Sequence, residues 1–115
     1  MTEQEQAFAA LMGYVFLQNA RPDKAAVVLA ALDILAPDQP RTLRALALAQ
    51  VRSGKPAPAL QTLERLAMAG GVDAAFHLLR AQALHALSRH EEAASAMQAY
   101  VALRAVPPPA PPEAD

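Results

Sequence analysis

The sequence predicts an all-α fold of six antiparallel helices, and three of its features predict it together. The first is composition: of 115 residues, 29 are Ala and 16 are Leu, strong helix formers, against few of the β-branched and aromatic residues that strands favour. The second is punctuation, because capping residues, glycines and first-turn prolines recur between stretches of helical length. The third is a self-similarity at an offset of 34 residues that needs no gap. Whole-chain disorder is excluded by 54% hydrophobic residues with only 18% charged, and a chain of this length makes one small domain.

Each helix has its own local reason. Thr2 with Glu5 reads as a capping box that opens a helix over residues 4–18. Pro22 belongs in the first turn of a helix over 22–35, where a missing N–H costs nothing. Asp38 stands where the helix over 39–52 should start, and Gly54 stops it. Pro56 opens the helix over 56–69, and Gly70-Gly71 ends it. Asp73 starts the helix over 73–87, and Ser88 with Glu91 repeats the capping box ahead of the last helix, over 90–104. Beyond it the run from Pro107 to Pro112 cannot donate enough backbone hydrogen bonds to continue a helix, so residues 106–115 read as a disordered, extended Pro-rich tail. A PxxP pattern within it carries little specificity alone, and a solvated tail is the simpler reading.

The repeat is explicit in the residues. Ala25, Ala59 and Ala93 lie 34 apart, and the same offset links Leu29, Leu63 and Met97, then Leu32, Leu66 and Tyr100, then Gly13, Ala47 and Ala81. Turn positions obey it too: Ala20, Gly54 and Ser88 are in register, and Pro22, Pro56 and His90 follow two residues later. This pattern, with Pro37 near the end of the first unit, resembles the tetratricopeptide repeat. The resemblance implies three repeats, at about 6–39, 40–73 and 74–106, in a short right-handed superhelix with a repeat domain over 1–105. Gly71 and Ala105 replace the repeat's proline in units two and three, and no unit has the early Trp.

Such repeats bind partners on the concave side, lined by the first helix of each pair. Ala7, Ala10, Tyr14 and Leu17 follow the spacing of one helical face, and the 34-residue shift carries them onto Arg41, Arg44, Leu48 and Val51 and then onto Ala75, Leu78, Gln82 and His85. These twelve form the candidate partner-binding groove. Most are apolar, so the partner must supply hydrophobic surface. Met12, Phe16, Leu43, Leu46, Phe76 and Leu84 already provide a face toward the second helices, and a helix apolar on two faces needs two partners. Arg41 and Arg44 read as a solvated rim. Without Lys or Asn, this face lacks the residues with which tetratricopeptide co-chaperones clamp a C-terminal carboxylate.

Other function classes find little support. Lys+Arg 10 against Asp+Glu 11 gives a net charge of −1, without the basic excess that attracts nucleic acid. Zero cysteines exclude disulfides, thiolate zinc sites and Cys nucleophiles. The titratable candidates His77, His85, His90, Glu91, Glu92 and Asp73 form no catalytic or metal motif, so neither enzymatic activity nor a cofactor is expected. The acidic N-terminal stretch leads into no continuous apolar run, so neither a signal peptide nor a membrane span is expected, and a cytoplasmic location follows.

The stretch Glu5-Gln6-Ala7-Phe8-Ala9-Ala10-Leu11-Met12-Gly13-Tyr14, followed by Leu17, Ala25, Leu29, Leu32, Leu35 and Pro37, is similar to the opening repeat of the small tetratricopeptide chaperones of bacterial type III secretion, of the SctY/YscY kind. The end, from Glu92-Ala93-Ala94 to Tyr100-Val101-Ala102-Leu103-Arg104, resembles their final helix, so the likeness runs over residues 5–104. It implies a cytoplasmic chaperone that shields an early secretion substrate, SctX-like, as a heterodimer and presents it to the export gate. Needle-subunit co-chaperones of the same system, and a generic tetratricopeptide scaffold, are the alternatives. The last helix has no polar cap after it, so Met97, Tyr100 and Val101 are expected to be partly exposed, covered by the partner or by self-association.

Overall fold

The computed structural model describes residues 2–105; the tail reading for 106–115 lies outside them. Six helices run in order, with no strand among the described residues: α1 (Glu3–Gln18), α2 (Pro22–Leu35), α3 (Pro40–Arg52), α4 (Pro56–Met68), α5 (Ala74–Ala86) and α6 (His90–Ala105). Every boundary falls within a residue of the sequence expectation. Consecutive helices pack as the hairpins α1–α2, α3–α4 and α5–α6. The hairpins then stack through α2 on α3 and α4 on α5, while α1–α3 and α3–α5 are neighbours along the first-helix layer.

The period is written in the turns. Ala20, Gly54 and Ser88 all hold positive φ, at 56°, 75° and 60°. Each ends a first helix in the same way: the following N–H, of Arg21, Lys55 or Arg89, reaches back to the carbonyl of Phe16, Gln50 or Leu84 at 2.7–2.9 Å. This Schellman arrangement satisfies the last carbonyls of the helix and aims the chain into the second helix of the pair. Glycine adopts the left-handed conformation freely, so Ala20 and Ser88 hold it at some cost because the rest of the repeat requires it.

Two expected caps are corrected here. Ser88 does not cap α6: it is the left-handed residue that terminates α5, and its N–H bonds the His85 carbonyl at 2.9 Å. Asp38 does not cap α3 either, since Gln39 holds that position and Asp38 stands in left-handed conformation at φ 62°. Asp and Ser suit both N-cap and turn positions, and here the turn prevails. Thr2 and Asp73 do cap: Thr2 Oγ1 accepts the Glu5 N–H at 3.1 Å, and Asp73 Oδ1 accepts that of Phe76 at 2.9 Å. Pro22, Pro40 and Pro56 all sit in first turns.

Packing follows the aligned positions. Ala25 and Ala59 are fully buried and Ala93 nearly so, and their small side chains let paired helices approach closely. At Gly13 a Cβ would stand 2.8 Å from Cγ and Cδ2 of the buried Leu29, so glycine there brings α1 against α2. Leu29, Leu43, Leu63, Leu66 and Leu84 are the largest fully buried side chains. They fall in clusters that cross the repeat boundaries, as where Leu63 and Leu66 meet Phe76 and Leu79.

One polar cluster was not anticipated from the sequence. Asp33, on an otherwise apolar stretch of α2, is buried and receives Arg65 of α4 through Nη1 at 2.6 Å and Nη2 at 2.9 Å. Arg65 also bonds Asp38 at 2.8 Å, and the Asp38 N–H donates to Asp33 at 3.1 Å. Burial pushes the Asp33 carboxyl up, but the Arg65 bonds and the Asp38 N–H outweigh it and hold the group below the usual carboxylate range. The two aspartates in turn raise Arg65. The cluster ties α4 to α2 and to the turn that joins α2 to α3.

Candidate partner-binding groove

The first helices α1, α3 and α5 lie side by side, and the twelve candidate residues run along them at matching repeat positions. Their burial divides them. Leu17 is buried and belongs to the core with Ala25, Leu29 and Leu46, so the structure removes it from the open surface. Tyr14 packs on that core while staying partly exposed; Leu48 touches both the first and second core clusters, and Val51 the second. Leu78 is half-buried, and Ala7, Arg41, Ala75, Gln82 and His85 are exposed.

The two arginines differ, which corrects their reading as one solvated rim. Arg44 Nη2 lies 3.1 Å from Asp73 Oδ2 and 3.5 Å from the Gly71 carbonyl. Because the other oxygen of Asp73 caps α5, one carboxylate fastens the start of α5 to the middle of α3. Gly71 is buried against Leu66, where any Cβ would collide with that side chain, so the turn carrying this carbonyl is held from below. Arg41 makes no ion pair among the described residues and stays exposed at the start of α3.

Between α1 and the start of α3 a cavity of about 510 Å³ opens. Ala7, Ala10, Leu11 and Tyr14 form its α1 wall, Leu11 at the rim, with Leu29, Leu32 and Ala36 of the α2 side behind them; Arg41, Thr42 and Gln39 close the α3 side, and Glu3 and Gln6 stand at its edge. Four of the candidate residues thus converge on one hollow. Sequence reasoning missed Leu29, Leu32, Gln39 and Thr42 as lining residues. Their signal was faint, since the first two belong to the repeat's own packing positions and only the small size of Ala7 and Ala10 marked the space in front of them.

The histidines converge on no chemistry. His85 and His90 meet edge to face with centroids 5.3 Å apart at an exposed turn, and His77 lies edge-on to Phe76. Among the described residues no group of three His, Asp or Glu side chains is placed to hold a metal ion, and no helix is long and apolar enough to cross a membrane. Arg89 grips Glu92 at 2.7 Å and holds its carboxyl below the usual range.

A family model described as tetratricopeptide repeat matches residues 16–83, more than half of the chain, from the last turn of α1 into α5. None of the curated proteins matches.

Proposed function

The chain belongs to the tetratricopeptide repeat family, and from that premise we propose that its first-helix groove takes up an apolar segment of a protein partner. In this reading the chain is a cytoplasmic type III secretion chaperone that holds an SctX-like substrate as a heterodimer and keeps it competent for export. The observation that carries the reading is the cavity between α1 and α3: its volume is in the range of ligand sites, about 300–1,000 Å³, its accessible apolar lining is Leu11, Tyr14, Ala7 and Ala10, and the alanines keep it open. An amphipathic helix laid along the groove could seat one large apolar side chain there while Tyr14, Leu48 and Leu78 cover the rest of its face. Such capture prevents premature assembly of an export substrate, because its adhesive face is hidden while its backbone bonds stay internal.

The resemblance supports the finer reading through Gly13-Tyr14, which here seals α1 on α2 and walls the cavity. Arg41 at the mouth suits a partner with an acidic residue beside its apolar anchor. No catalytic step is assigned.

Co-expression with an SctX protein of a type III secretion system, followed by size-exclusion chromatography with mass determination, tests the proposal. A stable one-to-one complex, absent for the Ala10→Trp variant, is expected. A monomer indifferent to that protein would overturn the secretion reading and leave a general scaffold.

A further inference from the structure

The three repeats use the same positions to stack on one another, and at both ends of the described chain those positions are bare. Phe8 and Leu11 on α1 are 65% and 57% exposed, although the residues 34 and 68 positions later, Thr42 and Phe76, then Ala45 and Leu79, are buried against the preceding repeat. The same holds at the other end. Met97 and Val101 on α6 are 40% and 55% exposed and border an open, mainly apolar hollow, whereas Leu29 and Leu63, the counterparts of Met97, are buried.

We propose that the α6 face of one copy stacks on the α1 face of the next, so that the chain associates with itself head to tail and continues its own repeat register across the junction. Three observations select a second copy as the occupant. The bare surfaces are the two halves of an interface this chain already builds twice, α2 on α3 and α4 on α5. The end helices match in length, 16 residues each against 13 or 14 for the inner four, and their extra turns, at the start of α1 and the end of α6, fall on the same edge of the stack. Charge is complementary there, since the first turn of α1 carries the exposed Glu5, bonded only by the Thr2 hydroxyl, and α6 closes with Arg104, whose guanidinium bonds only the Tyr100 hydroxyl among the described residues. Because the two faces differ, the contact is heterologous and grows chains rather than closing a two-fold dimer.

Sedimentation velocity of the full chain across a concentration series tests this, with Phe8→Glu and Val101→Glu as variants at exposed sites whose helicity is checked by circular dichroism. The wild type is expected to gain mass beyond two copies as concentration rises, and each variant alone to stay a monomer. A mixture of the two variants retains one intact junction, so it is expected to form a dimer and nothing larger. Leu78→Glu, in the groove, is expected to leave the association unchanged, which separates this proposal from the groove reading. A wild type that stays monomeric up to its solubility limit would overturn the proposal. So would a dimer that survives Phe8→Glu but not Val101→Glu, the signature of a symmetric α6–α6 contact.

Discussion

The two seams of the first-helix layer are built differently. Between α3 and α5, Arg44 is fixed to Asp73 and to the Gly71 carbonyl, so the helices are joined by charge-assisted bonds. Between α1 and α3 no side-chain hydrogen bond crosses among the described residues; Leu17 packs with Ala45, Leu46 and Ala49 toward the end of α1, but toward its start Ala7 and Ala10 leave a cavity of about 510 Å³. Repetition of sequence therefore does not mean repetition of role: the same register yields one closed seam and one open one, and the open one is suited to receive a foreign side chain.

The largest effect in breaking this comparison is expected in the closed region. Leu63→Ala removes a fully buried side chain packed with Phe76 and Leu79, and should cost about 2–5 kcal/mol in chemical denaturation. Leu48→Glu is expected to destabilise as well, because Leu48 bridges two core clusters and a carboxylate there is desolvated. Leu78→Glu belongs to neither cluster and should keep the fold while impairing partner binding, so the pair separates packing from recognition.

Next in size is Asp33→Asn, which breaks the grip on Arg65 and should cost about 1–2 kcal/mol, moderated because Arg65 is partly exposed to water. The pH dependence has a definite sign. A carboxyl held below its unfolded value, about 3.9 for Asp, stabilises the fold fully above that value, and the contribution is lost as the pH falls through the lower folded value. Denaturation midpoints should therefore decline on acidification below about pH 4, and less steeply in Asp33→Asn. Asp73→Ala, measured by thermal melting, should cost about 1 kcal/mol as a lost cap together with the tie to Arg44.

Much of this was legible because it is local or periodic. Six helices follow from first-turn prolines, glycines and helix formers, and their pairing into hairpins follows from Ala25, Ala59 and Ala93 at one offset. What stayed hidden depends on which of two suitable places a residue takes. Ser88 and Asp38 carry the chemistry of N-caps yet occupy left-handed turn positions. The Arg44–Asp73 and Arg65–Asp33 contacts join residues 29 and 32 positions apart without recurring in other repeats, so no period reveals them. A lone aspartate within the apolar run Leu29–Leu35 was the one trace of the second. At the candidate groove the face was legible but its depth was not: Leu17 went to the core, and the hollow depends on α2 residues that also serve the fold.

The most direct test of the open seam compares two tryptophan substitutions for their affinity toward the SctX-like protein by isothermal titration calorimetry. Ala10→Trp fills the hollow between α1 and α3, while Gln82→Trp adds the same ring at an exposed place on α5. Binding weaker by about tenfold or more, ~1.4 kcal/mol, in Ala10→Trp with near wild-type binding in Gln82→Trp is the predicted result. Full affinity in Ala10→Trp would contradict the assignment of the α1–α3 cavity as the place where the partner is held.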